Sequence, residues 1–183
     1  MALGYVRPAR VSDAEEIARI QLTTWRTAFS GFIPTSVMDG LDAAWVATRW
    51  EEACASPPSP LYRVFVAVEQ DESDRSRLWT VGFAAVGAGE EDDDPAAGAV
   101  TELLVEPRFA RRGHGSRLLS AAVAHWQEHR LATAYAWSFT RDAASLNFYR
   151  SAGWDTDGTR RSLDMDGTPV SQLRLHTDIT DSD

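Results

Sequence analysis

Apolar residues recur with two different periods along this chain, and the change of period separates predicted helices from predicted strands. Up to about residue 55, apolar side chains recur every three or four residues, which is the spacing of one helix face. From Tyr62 onward β-branched and alternating residues dominate, as in Val64-Phe65-Val66-Ala67-Val68, and this composition is typical of strands. Helical spacing returns over about 115–126 and 142–151. The chain therefore combines helices and strands along its length.

Capping and turn residues set the limits of these elements. Ser12-Asp13-Ala14-Glu15 matches the S/T-x-x-E capping box, which predicts a first helix from there to about Phe29. Glycine and proline then interrupt the pattern, and one further helix is predicted from Ser36 to about Ala53. Strands are predicted at 4–9, 64–68, 78–86, 99–105, 134–139, 155–163 and 170–177, the last two joined by a turn at Asp166-Gly167. This order predicts an α+β fold, with a mixed, mostly antiparallel sheet of six to seven strands flanked by about four helices.

Length and composition are those of a single globular domain spanning residues 1–183. The longest apolar run is far shorter than the roughly 20 residues that span a membrane, and the first residues lack the apolar core of a secretory signal peptide. The single cysteine, Cys54, excludes an internal disulfide framework and a cysteine-based metal cluster. We therefore expect a cytoplasmic protein without a membrane partner.

The charge balance narrows the class of partner. A formal net charge of −9 argues against nucleic-acid binding, because a phosphate backbone requires a basic surface. An acidic chain is compatible with a cationic or amine-bearing partner. Part of the charge is concentrated in the run from Glu90 to Asp94. Such a run is either a solvated loop or an electrostatic funnel for an amine, and the sequence leaves both readings open.

A glycine loop is the strongest chemical signal. Val105-Glu106-Pro107 followed by Arg111-Arg112-Gly113-His114-Gly115-Ser116 predicts a strand end, a tight loop and the start of a helix. Backbone N–H groups and the positive end of a helix dipole favour an anion at such a junction, most often a phosphate. Leu118 occupies the third glycine position of the dinucleotide fingerprint, and no lysine follows Gly115 as a nucleotide-binding P-loop requires. The loop therefore predicts either an anion site of another kind or a purely structural turn.

Three segments together resemble the GNAT superfamily of N-acetyltransferases. The first is the strand Glu102-Leu103-Leu104-Val105-Glu106-Pro107 with the glycine loop behind it. The second contains Trp137-Ser138-Phe139, Asp142, Ser145, Phe148-Tyr149 and Gly153-Trp154, and the third is Trp25-Arg26-Thr27-Ala28-Phe29-Ser30-Gly31-Phe32-Ile33-Pro34. Their order and spacing are those of the family and cover most of the chain. The resemblance implies a GNAT-like fold and an acetyl-CoA-dependent N-acetyltransferase, with a cofactor-binding core at about 97–155.

The resemblance also implies where coenzyme A binds. Backbone groups of Leu103 and Val105 would pair with the pantetheine arm, and the N–H near Leu104 would face the thioester carbonyl. The N–H groups from Arg112 to Ser116, in Gly113-His114-Gly115 above all, would surround the pyrophosphate. Two positions depart from the family pattern. Ala110 replaces a usual Arg or Gln, for which Arg111 and Arg112 would compensate, and Asp142 replaces an Asn that commonly binds the cofactor.

Candidate catalytic residues follow from the same resemblance. Tyr149 would protonate the departing thiolate, since phenol and thiol pKa values are close enough for transfer, and Glu102 would act as the base. The alternatives are a core tyrosine and a structural carboxylate. The amine would attack the thioester directly, because Cys54 lies far from the motif. Trp25, Phe29, Phe32 and Trp137 are candidates for the acceptor pocket, the alternative being ordinary core packing.

Two further readings remain at this point. A non-catalytic acyl-CoA-binding or regulatory module on the same fold is the alternative function, which Ala110 and Asp142 favour. His125-Trp126-Gln127-Glu128-His129 matches the H-x-x-E-H zinc pattern, but Trp126 belongs to the apolar stripe, so we expect no metal. A homodimer is common in the family. The acceptor would be a small-molecule or peptide amine. A protein N-terminus, a lysine, a polyamine, an antibiotic amine and an amino acid all remain open, and the sequence does not choose among them.

Overall fold

The computed structural model describes residues 4–71, 73–74, 76–90 and 94–180. Its seven strands are β1 (Gly4–Pro8), β2 (Arg63–Gln70), β3 (Leu78–Ala88), β4 (Gly98–Val105), β5 (Thr133–Phe139), β6 (Asp155–Met165) and β7 (Thr168–Asp178). Its α-helices are α1 (Ala14–Ala28), α2 (Thr35–Asp39), α3 (Ala43–Ala55), α4 (His114–Glu128) and α5 (Ala143–Ser151). Two short 3₁₀ turns lie at Val11–Asp13 and Pro107–Phe109. None of these helices is long and apolar enough to cross a membrane.

The strands form one mixed sheet in the order β1-β2-β3-β4-β5-β7-β6. Every neighbouring pair is antiparallel except β4 and β5, which are parallel. Helices cover both faces: α1, α2 and α3 pack around Ile17, Val66 and Phe83 on one side, while α4 and α5 pack around Leu118 and Trp126 on the other. The α+β fold predicted from the residue pattern is confirmed.

The predicted capping box at Ser12-Asp13-Ala14-Glu15 is wrong. Helix α1 begins at Ala14, and no side chain caps it. Asp13 instead accepts a hydrogen bond from the backbone N–H of Arg10 at 2.7 Å and two from the Arg7 guanidinium at 2.7 and 2.9 Å. Ion pairing with strand β1 therefore holds the entry to the helix, and the guanidinium keeps the pKa of Asp13 below its usual range.

The single helix predicted from Ser36 to about Ala53 is also wrong, because the chain forms two helices there. Helix α2 ends at Asp39, and Gly40 follows as its C-cap. Asp42 then starts α3 by accepting a hydrogen bond from the Trp45 backbone N–H at 2.7 Å. The break turns α3 back onto α1. The predicted turn at Asp166-Gly167 is confirmed, with φ of 52° and 77° at its two residues.

Candidate active site

A gap between the two parallel strands β4 and β5 opens a cavity. Strands β4 and β5 pair only at Gly98↔Ala134, Ala99↔Tyr135 and Val100↔Ala136, among residues that are all described. Beyond Val100 and Ala136 the strands separate and leave backbone edges facing each other. A cavity of about 240 Å³ opens there. Eight residues predicted from the sequence line it: Trp25, Phe29, Glu102, Leu103, Leu104, Trp137, Asp142 and Tyr149.

The other predicted pocket residue lies behind the cavity wall. Phe32 packs against Phe29 and Phe139, with ring centroids 5.3 and 5.2 Å apart, and is not among the described lining residues. It supports the two rings that face the cavity. Val105, at the end of β4, packs against the core on the α4 side, so only its backbone groups are available at the strand edge.

A β-bulge in β4 places the Glu102 side chain on the face of the sheet that α1 covers. Val86 pairs with Val100 and Ala85 with Glu102, so Thr101 is an extra residue in β4. Its hydroxyl donates a hydrogen bond to the carbonyl of Ala85 at 2.9 Å. Residues two apart in a regular strand share a face, and Glu102 would then point with Val100 into the apolar core beneath α4. The bulge reverses this and turns Glu102 toward α1.

Three side chains organise the Glu102 carboxylate. The Trp25 indole donates to one oxygen at 3.3 Å, and the Gln21 amide donates to the other at 3.4 Å. The Trp50 indole donates to the Gln21 side-chain oxygen at 2.8 Å, which turns the Gln21 amide nitrogen toward the carboxylate. Burial raises the pKa of Glu102 to about 7, against the lowering effect of the two hydrogen bonds. Glu102 is therefore poised to exchange a proton at neutral pH.

Gln21 and Trp50 were missed by sequence reasoning. Both lie on predicted helices, where a partly buried Trp or Gln is ordinary. No local signal indicates that they reach Glu102, which follows Gln21 by 81 residues. Thr101 was missed for a similar reason, because its bulge exists only in the pairing of β4 with β3.

Tyr149 borders the cavity from helix α5. It is buried, and its ring packs against Phe148 and Trp154 with centroids 5.2 and 5.3 Å apart. Burial raises the pKa of Tyr149 above its ordinary value, and the negative charges of Glu102 and Asp142 raise it further. The phenol therefore keeps its proton at neutral pH.

Asp142 has a structural task in addition to its place at the cavity. It is the N-cap of α5, and its two carboxylate oxygens accept hydrogen bonds from the backbone N–H and the hydroxyl of Ser145, at 3.1 and 2.5 Å. An Asp is among the best residues at this position. Asn caps a helix equally well, so the cap by itself does not account for the departure from the family's Asn. The predicted contact of Asp142 with a cofactor stays a prediction.

The glycine loop forms the start of α4. Arg111 and Gly113 both have left-handed backbone, with φ of 65° and 81°. No described residue accepts a hydrogen bond from the N–H groups of Gly113 to Ser116, so this end of the helix presents donors to an anion. Gly115 packs closely against Phe148: a Cβ added at this position would lie 3.2 Å from the Phe148 ring.

A buried carboxylate holds this loop from below. Glu69 of β2 accepts from the Arg112 guanidinium at 2.7 Å and lies 2.6 Å from Nε2 of His114. The His114 ring is buried and points inward. The Arg112 guanidinium is therefore paired with Glu69, which leaves the Arg112 backbone N–H as its candidate donor to an anion. Arg111 is exposed at the loop, and its binding to the pyrophosphate in place of the residue missing at Ala110 stays a prediction.

The remaining sequence signals lie away from the cavity. His125 Nε2 donates to the Leu61 carbonyl at 3.2 Å, and His129 Nδ1 donates to the His125 carbonyl at 2.8 Å. Within the described residues no cluster of His, Cys, Asp or Glu is arranged to hold a metal. Residues 91–93 of the acidic run lie outside the described part of the chain. Cys54 packs against the core on the α1 side, and burial raises the pKa of its thiol.

Comparisons with known proteins agree with this geometry. Residues 22–154 match the model of the acetyltransferase (GNAT) family. The uncharacterized N-acetyltransferase YuaI of Bacillus subtilis (strain 168) is 25% identical over 146 residues, which is 80% of this chain and 77% of YuaI.

Two solved structures share the fold. One is yncA, a putative acetyltransferase from Salmonella typhimurium with its cofactor acetyl-CoA, at a TM-score of 0.70 and 16% identity, covering 99% of this chain and 96% of that one. The other is the PaiA N-acetyltransferase from Thermoplasma acidophilum in complex with coenzyme A. Its TM-score is 0.68 at 13% identity, covering 96% of this chain and 99% of that one.

Proposed function

Because the chain belongs to the acetyltransferase (GNAT) family, we propose that it moves an acetyl group from acetyl-CoA to a primary amine by direct attack, with Glu102 as base and Tyr149 as acid. The family resemblance predicted from the motifs is confirmed. Membership makes the chain an N-acetyltransferase that uses acetyl-CoA. The base, the acid, the direct attack and the acceptor are the parts of the proposal that require testing. A cytoplasmic location and a homodimer also remain predictions.

The observation that supports the proposal is the separation of β4 from β5 beside a carboxylate and a phenol. The β4 edge beyond Val100 is left without a strand partner on the β5 side. Leu103 and Val105 can therefore offer backbone groups to the amides of a pantetheine arm. The N–H groups of Gly113 to Ser116 suit a pyrophosphate. Acetyl-CoA would supply an acetyl group activated as a thioester, and these residues would hold it in the gap.

Glu102 is suited to take a proton from the acceptor amine. An alkylammonium with a pKa near 10.4 loses its proton at pH 7 only at a cost of about 4–5 kcal/mol. A carboxylate whose pKa lies at about 7 binds that proton much more strongly than an ordinary Glu does. Gln21 and Trp25 hold the carboxylate in place through their hydrogen bonds. The base is thus oriented before the amine arrives.

Tyr149 is suited to hold a proton on the other side of the gap. Its raised pKa keeps the phenol oxygen protonated over the working pH range. A phenol is a weak acid toward a thiolate in water, where the pKa values are about 10 and 8.5. Burial raises the pKa of a thiol as well as that of a phenol. Burial of the departing thiolate thus favours its taking a proton, and the phenol of Tyr149 is the group proposed to supply it.

The test combines a rate profile with two variants. Thiol release from acetyl-CoA is measured with a panel of amines, and kcat is followed from pH 5.5 to 9. We expect kcat to rise with pH through an apparent pKa of about 7, because only ionised Glu102 accepts a proton. Glu102→Gln should lose this rise together with most of the rate. A wild-type rate in Glu102→Gln would remove Glu102 as the base.

The same panel separates the enzyme from the alternative function. Acetyl-CoA binding is measured by calorimetry on the sample used for the rates. Binding with turnover of at least one amine supports the transferase. Binding without turnover of any amine would favour a non-catalytic acyl-CoA-binding or regulatory module.

A further inference from the structure

The wall of the cavity carries two carboxylates and no positive charge. Glu102 and Asp142 are the only ionisable carboxylic acids among its described lining residues, and no arginine or histidine lines it. The sequence contains no lysine, since the 18 basic residues are all arginine. A cationic amine is therefore attracted to this wall, whereas an anionic group that enters with it meets like charge.

Arg161, which contacts two residues of the cavity wall, is already engaged. Arg161 lies over the Trp137 ring, 4.3 Å from its centroid. The Arg161 Nε donates to the Gln172 side-chain oxygen at 2.7 Å, and the Arg161 Nη1 lies 3.6 Å from a Glu90 carboxylate oxygen. Arg161 thus contacts two lining residues, Trp137 and Gln172, and forms a partly exposed ion pair with Glu90.

Aromatic and apolar residues form one part of the wall beside Glu102, while Thr101, Ser138, Ser145 and Gln172 form a polar part. Trp25 and Phe29 come from α1 and its end, Phe139 comes from β5, and Met165 comes from β6. Phe29 and Phe139 meet edge to face with ring centroids 5.4 Å apart. Flat apolar walls of this kind favour an aromatic or aliphatic body over a polar one. The cavity volume of about 240 Å³ lies below the range of about 300–1,000 Å³ that is usual for ligand pockets, and the acetyl end of the cofactor would take part of it.

We propose that the acceptor is a small primary amine whose remaining body is apolar and uncharged, such as an arylalkylamine, and that free amino acids are rejected. The proposal rests on the proposed acetyl transfer and names the acceptor of that site. The ammonium is drawn to the carboxylates, and the body lies among Trp25, Phe29 and Phe139. The carboxylate of an amino acid would sit in the same cavity without a cationic partner.

Matched pairs of acceptors test the proposal. 2-Phenylethylamine and phenylalanine differ only by one carboxylate, and phenylalaninamide replaces that carboxylate by a neutral group. Rates of thiol release are compared at equal concentrations of the protonated amine, because that is the form drawn to the carboxylates. We expect kcat/KM for 2-phenylethylamine to exceed that for phenylalanine at least 100-fold, with phenylalaninamide within tenfold of 2-phenylethylamine. Equal or faster use of phenylalanine overturns the proposal.

A charge introduced into the wall provides the reciprocal test. Met165 lines the cavity at the end of β6. Met165→Arg should raise kcat/KM for phenylalanine relative to 2-phenylethylamine at least tenfold, because it supplies the missing cation. Met165→Gln is the neutral control of similar length and should leave the ratio unchanged. The same change of ratio in both variants would show that charge is not the cause and would overturn the proposal.

The outcomes distinguish this proposal from the proposed function. Equal rates with both members of the pair leave the acetyl transfer intact and overturn only the choice of acceptor. Acetyl-CoA binding without turnover of any amine in the panel overturns the acetyl transfer, and this proposal with it.

Discussion

Replacing Glu102 by glutamine should make the protein more stable at alkaline pH while it removes the proposed base. The reason is that the pKa of Glu102 is raised by burial from 4.5 to about 7. Below about pH 4.5 the carboxyl is neutral in the folded and unfolded states, so it contributes no difference there. Above about pH 7 it is ionised in both states, and only the folded state bears the cost of the buried charge.

The size of the effect follows from the same pKa values. One pKa unit is worth about 1.4 kcal/mol, so the free energy of unfolding should be about 3 kcal/mol higher in Glu102→Gln than in the wild type at pH 8. This is an upper limit, because Glu102 is only partly buried at the cavity wall. The gain should fall to about 1 kcal/mol or less at pH 5. In thermal unfolding, the gain at pH 8 corresponds to about 6–12 °C for a chain of this length.

Urea unfolding followed by tryptophan fluorescence measures both values, since the chain has seven tryptophans. Glu51→Gln, at an exposed position of α3, is the matched control and should show no gain that grows with pH. A Glu102→Gln variant that is no more stable than the wild type at pH 8 would refute the argument. A gain of equal size at pH 5 and pH 8 would refute it too, because the cause would then not be ionisation.

Three further predictions concern the acid and the anion loop. Tyr149→Phe should lower kcat at least tenfold with less than a twofold change in acetyl-CoA Kd, and an unchanged rate would remove Tyr149 as the acid. Gly115→Asp should abolish acetyl-CoA binding in calorimetry, through like charge near the pyrophosphate and because even its Cβ would crowd Phe148; normal affinity would contradict the anion site. Glu69→Ala should cost about 3 kcal/mol in urea unfolding and weaken acetyl-CoA binding, since it leaves the buried His114 without its partner; unchanged values would show that the loop needs no support.

Local features of the sequence predicted most of the helices and strands, and they predicted coenzyme A as the cofactor. Helical and strand periods depend on residues three, four or two apart, so they are visible without the fold. The glycine loop is equally local, because a strand end, a left-handed Gly113 and a helix start are consecutive in the chain. These features predicted the strands, the start of α4 and the family. Two predictions about helix boundaries were wrong. Asp42 caps a separate helix where one continuous helix was predicted, and Asp13 pairs with Arg7 where a capping box was predicted.

The chemical environment of the site was decided by the tertiary structure. Glu102 was a candidate base by its place in a motif, but its pKa of about 7 depends on the bulge at Thr101 and on donors from α1. Glu69 supports the glycine loop from a strand more than 40 residues earlier. A one-dimensional pattern records neither which face a bulged strand presents nor which distant side chain fills the space beside it. Burial and electrostatics arise from packing between elements, and that packing sets the charge of the cavity and thereby the acceptor it favours.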